Sequence, residues 1–160
     1  MCEKLVLLAE DDPGHVALLR RATADSGVPC RLDVVHDGVE LIDYVFATGE
    51  YGDRDPREVP DLILLDLKMP KMDGIQVLQV LGRVRGEDRT RFPPVVVLTS
   101  SDLDQDVAEA YRWGAQSYIR KPLDYPDFAA AVRETLQYWL GLNRPVPRRR
   151  VAMHVVHEGL

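Results

Sequence analysis

Ionisable side chains stand directly after several apolar runs in this 160-residue sequence. The run LVLLA at 5–9 is followed by three acidic residues, and the run LILL at 62–65 is followed by Asp66. A short continuous apolar run bounded by a turn is typical of a strand that is buried on both faces of a sheet. Because an unpaired buried charge costs a large free energy, a carboxylate at the end of such a strand indicates a compensating partner or a chemical role.

A hydroxyl and an ammonium group occupy equivalent places later in the chain. Thr99 ends the run VVVLT, and Lys121 ends the run SYIRK. Clustered carboxylates raise one another's pKa and need a counter-charge, which a hard divalent cation such as Mg2+ supplies through oxygen ligands. Lys121 and Thr99 are suited to phosphoryl oxygens, and an aspartate such as Asp66 can act as a nucleophile that forms an acyl phosphate.

Five apolar runs alternate with segments of helical spacing, which are 13–26, 37–48, 73–85, 104–114 and 124–141. This alternation predicts an α/β domain, a doubly wound (βα)5 flavodoxin-like fold with a five-stranded parallel sheet. In the strand order 2-1-3-4-5 the first and third strands are adjacent, so their terminal acids meet at the edge where such sheets bind ligands. We assign 1–142 to this domain and 143–160 to a C-terminal extension, with a longer polar loop at 48–60.

The composition limits the classes of partner. A net charge of -6 and a pI of about 5.2 argue against a general affinity for nucleic acid or for an anionic membrane. No apolar stretch is long enough to span a bilayer, and the N-terminus lacks the features of a signal peptide. We therefore expect a cytoplasmic protein in which Cys2 and Cys30 are free thiols.

The blocks LLAEDDP, LILLDLKMPKMDG, VVVLTSS and GAQSYIRKP together resemble the receiver domain of response regulators, the phosphoaccepting half of bacterial two-component signalling. The blocks follow that family's order and cover residues 4–140. The resemblance implies that Asp66 accepts a phosphoryl group from a histidine kinase. Such a protein is a phosphoacceptor with Mg2+-dependent self-phosphorylation and slow autodephosphorylation rather than a turnover enzyme.

The same resemblance implies the metal ligands. Asp11 matches an acid that touches Mg2+ directly, and Glu10 matches one that acts through water. The phosphoacceptor Asp66 and the backbone carbonyl of Lys68 complete the set. Lys68 and Ser101 flank the site and are expected to tune the lifetime of the acyl phosphate.

The remaining family positions concern the switch. Thr99 is similar to the hydroxyl that moves onto the phosphoryl group, and Lys121 to the lysine that pairs with it. The bond between Lys121 and Pro122 is expected to be cis. Tyr118 matches the aromatic residue that turns inward on activation.

Two details resemble a subgroup, the small stand-alone regulators that serve cyanobacterial and bacterial phytochromes. These details are the loop 48–60 and the segment QYWLGLNRPVP. We expect the output to be protein binding, with a homodimer through the face of the fourth helix, fifth strand and fifth helix. Apolar residues of the C-terminal extension and the preceding helix can widen this interface or pack on the domain itself: Trp139, Leu140, Leu142 and Val146.

Other functions fit the sequence less well. A flavodoxin-like carrier needs a phosphate-binding loop after the first strand, where this chain has acids that repel phosphate. A nucleotide-binding enzyme is disfavoured because neither G-x-G-x-x-G nor G-x-x-x-x-G-K-[ST] occurs. An aspartate-nucleophile phosphatase needs a second acid at position 68, which is Lys. A pseudo-receiver that binds partners without phosphorylation stays as the alternative, and Asp66 taken alone can be purely structural.

Several polar residues are given no role in the chemistry. Asp12 is predicted to cap the helix that begins at Pro13. His15 lies near the acidic pocket and is predicted to face solvent from that helix. The pair His154 and His157 lacks a third metal ligand.

Overall fold

Strands and helices alternate in the computed structural model, which describes residues 3–86 and 92–147. The strands are β1 (Lys4–Ala9), β2 (Cys30–Val35), β3 (Leu62–Leu65), β4 (Val95–Thr99) and β5 (Ser117–Arg120). The helices are α1 (Pro13–Asp25), α2 (Gly38–Phe46), α3 (Gly74–Arg85), α4 (Asp104–Arg112) and α5 (Tyr125–Gln137). Each lies within about two residues of its predicted bounds except α5, which continues as a π-helical turn over Tyr138–Leu142.

All neighbouring strands pair in parallel, in the order β2-β1-β3-β4-β5. This confirms the predicted fold class. The register aligns Ala9 with Leu65, so β1 and β3 end side by side. The backbone N–H of Asp66 donates to the carbonyl of Ala9 at 3.1 Å, which extends this alignment to the carboxylate itself.

The sheet separates two apolar layers. Alternate residues of β1 and β3, such as Leu7 and Ile63, face the layer formed with α2, α3 and α4. Their neighbours, such as Val6 and Leu64, face the layer formed with α1 and α5. The central strands are thus buried on both sides, as their unbroken apolar runs predict, and they form a rigid base for the residues that follow them.

Helix caps control where the chain leaves the sheet edge. The side chain of Asp12 accepts from the N–H groups of Gly14 and His15 at 2.8 and 3.2 Å, which confirms its predicted role ahead of Pro13. Asp73 and Gln76 form a capping box at the start of α3. These caps fix the short connections that carry the acidic residues.

The predicted polar loop at 48–60 is held against α2 by polar contacts. It contains a 3-10 turn at Gly49–Tyr51. The Arg54 guanidinium lies 4.0 Å from the centroid of the Tyr44 ring and donates to the Tyr44 carbonyl at 2.7 Å. The Tyr51 hydroxyl donates to Glu40 at 2.6 Å. These contacts hold the loop beside α2.

The end of α5 divides its apolar residues between core and surface. Trp139 and Leu140 pack against the layer with α1, whereas Leu142 is 82% exposed and Val146 is 54% exposed. The helical structure ends at Leu142, where we predict the domain boundary. Residues 148–160 lie outside the described residues, so the extension stays a prediction.

Some expectations concern residues outside the described ranges. Cys30 is a free thiol, but Cys2 is not among the described residues. His154 and His157 also lie outside them. Among the described residues, no helix combines the length and apolar character needed to cross a bilayer.

Gly74 is required by the close approach of the phosphoacceptor loop. A Cβ atom at this position would lie 2.5 Å from the Asp66 carbonyl oxygen and 2.8 Å from Leu67 Cα, both backbone atoms that cannot turn away. We expect Gly74→Ala to lower the free energy of unfolding by roughly 1–3 kcal/mol, the usual cost of overpacking. Chemical denaturation measures this.

Gly82 provides the matched control within α3. A Cβ there would lie 3.6 Å from the Trp113 carbonyl oxygen, an ordinary contact. Gly82→Ala is therefore expected to raise stability by roughly 0.5–1 kcal/mol, because alanine is the better helix former. Equal effects of the two substitutions would contradict the explanation by close approach.

Candidate functional site

Three carboxylates converge where β1 and β3 end. Glu10, Asp11 and Asp66 each place an oxygen within 4.8 Å of the others. Glu10 is 1% exposed and Asp66 is 7% exposed, whereas Asp11 is exposed. The parallel register and the connection capped by Asp12 bring them together, as expected for the switch point of an open sheet.

Lys121 supplies the positive charge nearest to these carboxylates. Its Nζ lies 2.5 Å from Glu10 Oε2 and 3.4 Å from Asp66 Oδ2, and its side chain is only 5% exposed. Its backbone N–H donates to the Thr99 carbonyl at 2.7 Å, so the main chain is anchored to β4. The two buried carboxylates, Glu10 and Asp66, therefore share one ammonium as their compensating partner among the described residues.

The excess of acid changes the protonation of Glu10. Burial raises the pKa of Glu10 from 4.5 to about 7, and Asp66 adds to the increase. The hydrogen bond with Lys121 acts in the opposite direction but does not cancel it. Near neutral pH the cluster is therefore poised to exchange a proton for another positive charge.

The donor set fits a hard divalent cation. All three groups offer carboxylate oxygen, the ligand type that Mg2+ and Mn2+ prefer over sulfur. A bound cation would offset both causes that raise the pKa of Glu10, which are its burial and the nearby Asp66. The N–H of Lys68 lies 3.4 Å from Asp66 Oδ1, which places Lys68 beside the cluster, while the role of its carbonyl stays a prediction.

Mg2+ binding is expected to strengthen as the pH rises from about 6 to about 8. Glu10 has a pKa of about 7 and must lose its proton before its oxygen attracts a cation. The gain is at most about tenfold per pH unit below this pKa, and it levels off above it. Titration calorimetry at several pH values measures the affinity and the protons released.

Glu10→Gln is the control for this pH dependence, because the amide keeps the shape and cannot titrate. Its Mg2+ affinity is expected to be weaker and nearly constant over the same interval. A wild-type affinity that does not change with pH would show that the proton on Glu10 does not compete with the metal.

Thr99, Ser101 and Tyr118 form a connected group beside the acids. Thr99 is buried at the end of β4, and its Oγ1 lies 3.4 Å from the N–H of Ser101. The Tyr118 hydroxyl donates to the Ser101 carbonyl at 2.9 Å, and Ser101 Oγ donates to Asp106 at 2.5 Å. The backbone of Ser101 thus links the candidate switch hydroxyl to the aromatic ring on β5.

The expected cis bond before Pro122 is not present. No peptide bond of the described residues is cis, so the Lys121–Pro122 bond is trans. The trans isomer is the intrinsically favoured one for a bond before proline. In this geometry Lys121 already bonds to β4 through its N–H and reaches Glu10 through its Nζ, so these contacts do not require a cis bond.

His15 is partly exposed on α1, as expected, and it also contacts the site, a role that was not predicted. Its Nδ1 lies 3.0 Å from Lys121 Nζ and 3.7 Å from Glu10 Oε1, although its side chain is 40% exposed. A signal for this was present in the sequence: His15 is three residues after the N-cap Asp12, in the first helical turn beyond the acids. The contact partner, Lys121, is 106 residues away and gives no local signal.

The sequence matches a family model described as response regulator receiver domain over residues 6–133. It is 39% identical to the probable methanogenesis regulatory protein FilR2 of Methanothrix harundinacea, covering 88% of this chain and 86% of that protein. It is 32% identical to the response regulator Rcp1 of Synechocystis sp., covering 86% of this chain and 89% of that protein.

Solved structures show the same similarity. The phosphorylated cyanobacterial phytochrome response regulator RcpA superposes with a TM-score of 0.78 at 32% identity, covering 89% of this chain and 98% of that one. The Mn2+-bound form of Rcp1 superposes with a TM-score of 0.76 at 30% identity, covering 89% and 99%. One neighbour was thus solved phosphorylated, and another was solved with a divalent metal ion.

Proposed function

Because this chain belongs to the response regulator receiver domain family, we propose that it accepts a phosphoryl group on Asp66 from a histidine kinase. The observation that carries this proposal is the position of Asp66. It directly follows the buried strand β3 and lies beside Glu10 and Asp11, with the Lys121 ammonium 3.4 Å from its Oδ2. A rigid element therefore presents a nucleophilic oxygen next to the groups that can balance the charge of a phosphoryl group.

In the proposed reaction an Asp66 oxygen attacks phosphorus while the bond from phosphorus to the kinase's histidine nitrogen breaks. The electron pair of that bond returns to the imidazole, and Asp66 becomes an acyl phosphate. Lys121 moves from its carboxylate partners to a phosphoryl oxygen. Mg2+ held by Glu10, Asp11, Asp66 and the Lys68 carbonyl would neutralise further charge on the transferring group.

The phosphorylated state is expected to act through Thr99 and Tyr118. The Thr99 hydroxyl donates to a phosphoryl oxygen. This movement changes the hydrogen bonds that connect Thr99 through the Ser101 backbone to the Tyr118 hydroxyl. The altered face is that of α4, β5 and α5, a two-state element of the kind that modification biases. Water then hydrolyses the acyl phosphate at a rate that Lys68 and Ser101 tune.

The similarity to RcpA supports a phytochrome-type photoreceptor as the kinase, since RcpA is described as a phytochrome response regulator. The two-component pathway and the net charge of -6 support a cytoplasmic protein that does not act on nucleic acid or membranes.

The test is intact-mass spectrometry after incubation with acetyl phosphate, with and without Mg2+. We expect the gain of one phosphoryl group that depends on Mg2+. Reduction with borohydride converts an aspartyl phosphate to homoserine, and peptide mapping should find this product at position 66. No gain of mass in protein that is shown to bind Mg2+ would favour the pseudo-receiver alternative.

We also propose a homodimer through the α4, β5 and α5 face and the segment after α5. Exposed apolar side chains support this: Leu103, Tyr111, Leu123, Tyr138, Leu142 and Val146. In a two-fold symmetric dimer, both copies would bury these side chains in the same interface.

Size-exclusion chromatography with light scattering is expected to give a dimer. Leu142→Asp is expected to weaken this dimer, whereas Leu18→Asp, on α1, is not. A wild-type monomer at tens of micromolar, phosphorylated or not, would contradict the dimer.

A further inference from the structure

The Lys121 ammonium has three acceptors around it. Besides Glu10 Oε2 at 2.5 Å and Asp66 Oδ2 at 3.4 Å, the Nδ1 atom of His15 lies 3.0 Å from Nζ. An ammonium carries three N–H donors, so each acceptor can take one of them. In this contact Nδ1 accepts, which places the imidazole proton on Nε2.

The three acceptors differ in what the reaction does to them. Asp66 becomes esterified by the phosphoryl group, and Glu10 belongs to the acidic cluster that holds the metal. His15 is neither phosphorylated nor part of the carboxylate set. Its Nδ1 atom therefore stays able to accept from Lys121 while Asp66 and Glu10 change their partners.

The main chain of His15 is well fixed for such a role. Its N–H donates to the Asp12 side chain at 3.2 Å, and α1 is anchored one turn later by the fully buried Leu19. The backbone of His15 is therefore fixed near the sheet edge, and its imidazole lies at the partly exposed mouth of the site.

Building on the proposed function, we propose that His15 is a positioning residue for phosphoryl transfer. It keeps the Lys121 ammonium at the site while Asp66 bonds to the phosphoryl group and Glu10 turns to the metal ion. Without it, the ammonium has more freedom to follow Glu10 or to turn away from the arriving phosphoryl group, and the preorganised charge is lost.

The kinetic test compares three variants in their rate of phosphorylation by acetyl phosphate at saturating Mg2+. His15→Leu removes the acceptor, and we expect a rate about fivefold below wild type, the value of one modest hydrogen bond. His15→Asn places an amide oxygen near the position of Nδ1, and its rate is expected within about twofold of wild type. Ala17→Asn, at an exposed position of the same helix, controls for the low helix propensity of Asn.

The second readout is the 15Nζ signal of Lys121 by NMR in the absence of phosphodonor. An ammonium held by three acceptors exchanges its protons slowly, so the signal is expected in wild type and His15→Asn and lost in His15→Leu. This result does not depend on phosphorylation. A purely structural effect of position 15 would not follow the presence of the acceptor atom.

The outcomes separate the two proposals. A wild-type protein that takes no phosphoryl group would overturn the proposed function and, with it, the role of His15. A wild type that is phosphorylated at the same rate as His15→Leu would overturn the role of His15 alone. The same holds if His15→Asn is as slow as His15→Leu or if all variants keep the Lys121 signal.

Discussion

Asp66→Asn is expected to abolish the phosphoryl gain completely. The amide has the same shape as the carboxylate, but its oxygen is a poor nucleophile and cannot form an acyl phosphate. Asp66 is the buried carboxylate that directly follows β3, and the Lys121 ammonium lies 3.4 Å from its Oδ2. Intact mass after incubation with acetyl phosphate and Mg2+ measures the effect directly.

The same substitution is not expected to unfold the protein. Asp66 raises the pKa of Glu10, so the neutral amide removes a repulsive charge and leaves Lys121 paired with Glu10. We expect a melting temperature at least equal to that of wild type in the absence of metal. Asp53→Asn, in the exposed part of the loop at 48–60, is the matched control and should be phosphorylated normally. Phosphorylation of Asp66→Asn at the wild-type rate would show that another residue is the phosphoacceptor.

The sheet was predictable because its signal is local. The unbroken apolar runs of β1, β3 and β4 indicate burial on both faces, and their alternation with helical segments favours a parallel sheet covered by helices. Once the strand order is known, the convergence of Glu10 with Asp66 follows from register alone. A carboxylate that directly follows a buried strand can therefore be placed from sequence.

Contacts between side chains far apart in sequence were not predictable in this way. Lys121 could be placed at the sheet edge, but its distances to His15 and Glu10 depend on rotamers and on how α1 leaves the edge. The isomer of the bond before Pro122 was predicted wrongly for a related reason. It was transferred from a resemblance, whereas the backbone here satisfies the contacts of Lys121 in the trans form.

Lys121→Met should have the second-largest effect on the chemistry. Methionine keeps the apolar stem and removes the only ammonium that contacts Glu10 or Asp66 among the described residues. Loss of one preorganised electrostatic group typically costs about 10²–10³-fold in rate, and we expect the phosphorylation rate to fall by at least about 100-fold. Lys71→Met, which breaks an exposed pair with Asp37, is the control and should be phosphorylated at the wild-type rate.

The stability of Lys121→Met is expected to depend on pH in a definite direction. In wild type the pKa of Glu10 is about 7, above its unfolded value of 4.5, so folding takes up protons and stability falls as the pH rises between these values. Without Lys121 the pKa rises further, and the fall continues above pH 7. The deficit relative to wild type should reach about 3 kcal/mol near pH 8, typical of a broken buried ion pair, and be smaller near pH 6.

Mg2+ separates the two roles of Lys121 as a counter-charge and as a reaction partner. A divalent cation replaces the missing charge, so it should raise the melting temperature of Lys121→Met more than that of wild type. It cannot replace the donor to the phosphoryl oxygen, so the phosphorylation rate should stay low at any Mg2+ concentration. Recovery of both stability and rate would mean that Lys121 acts only by balancing the charge of the acids.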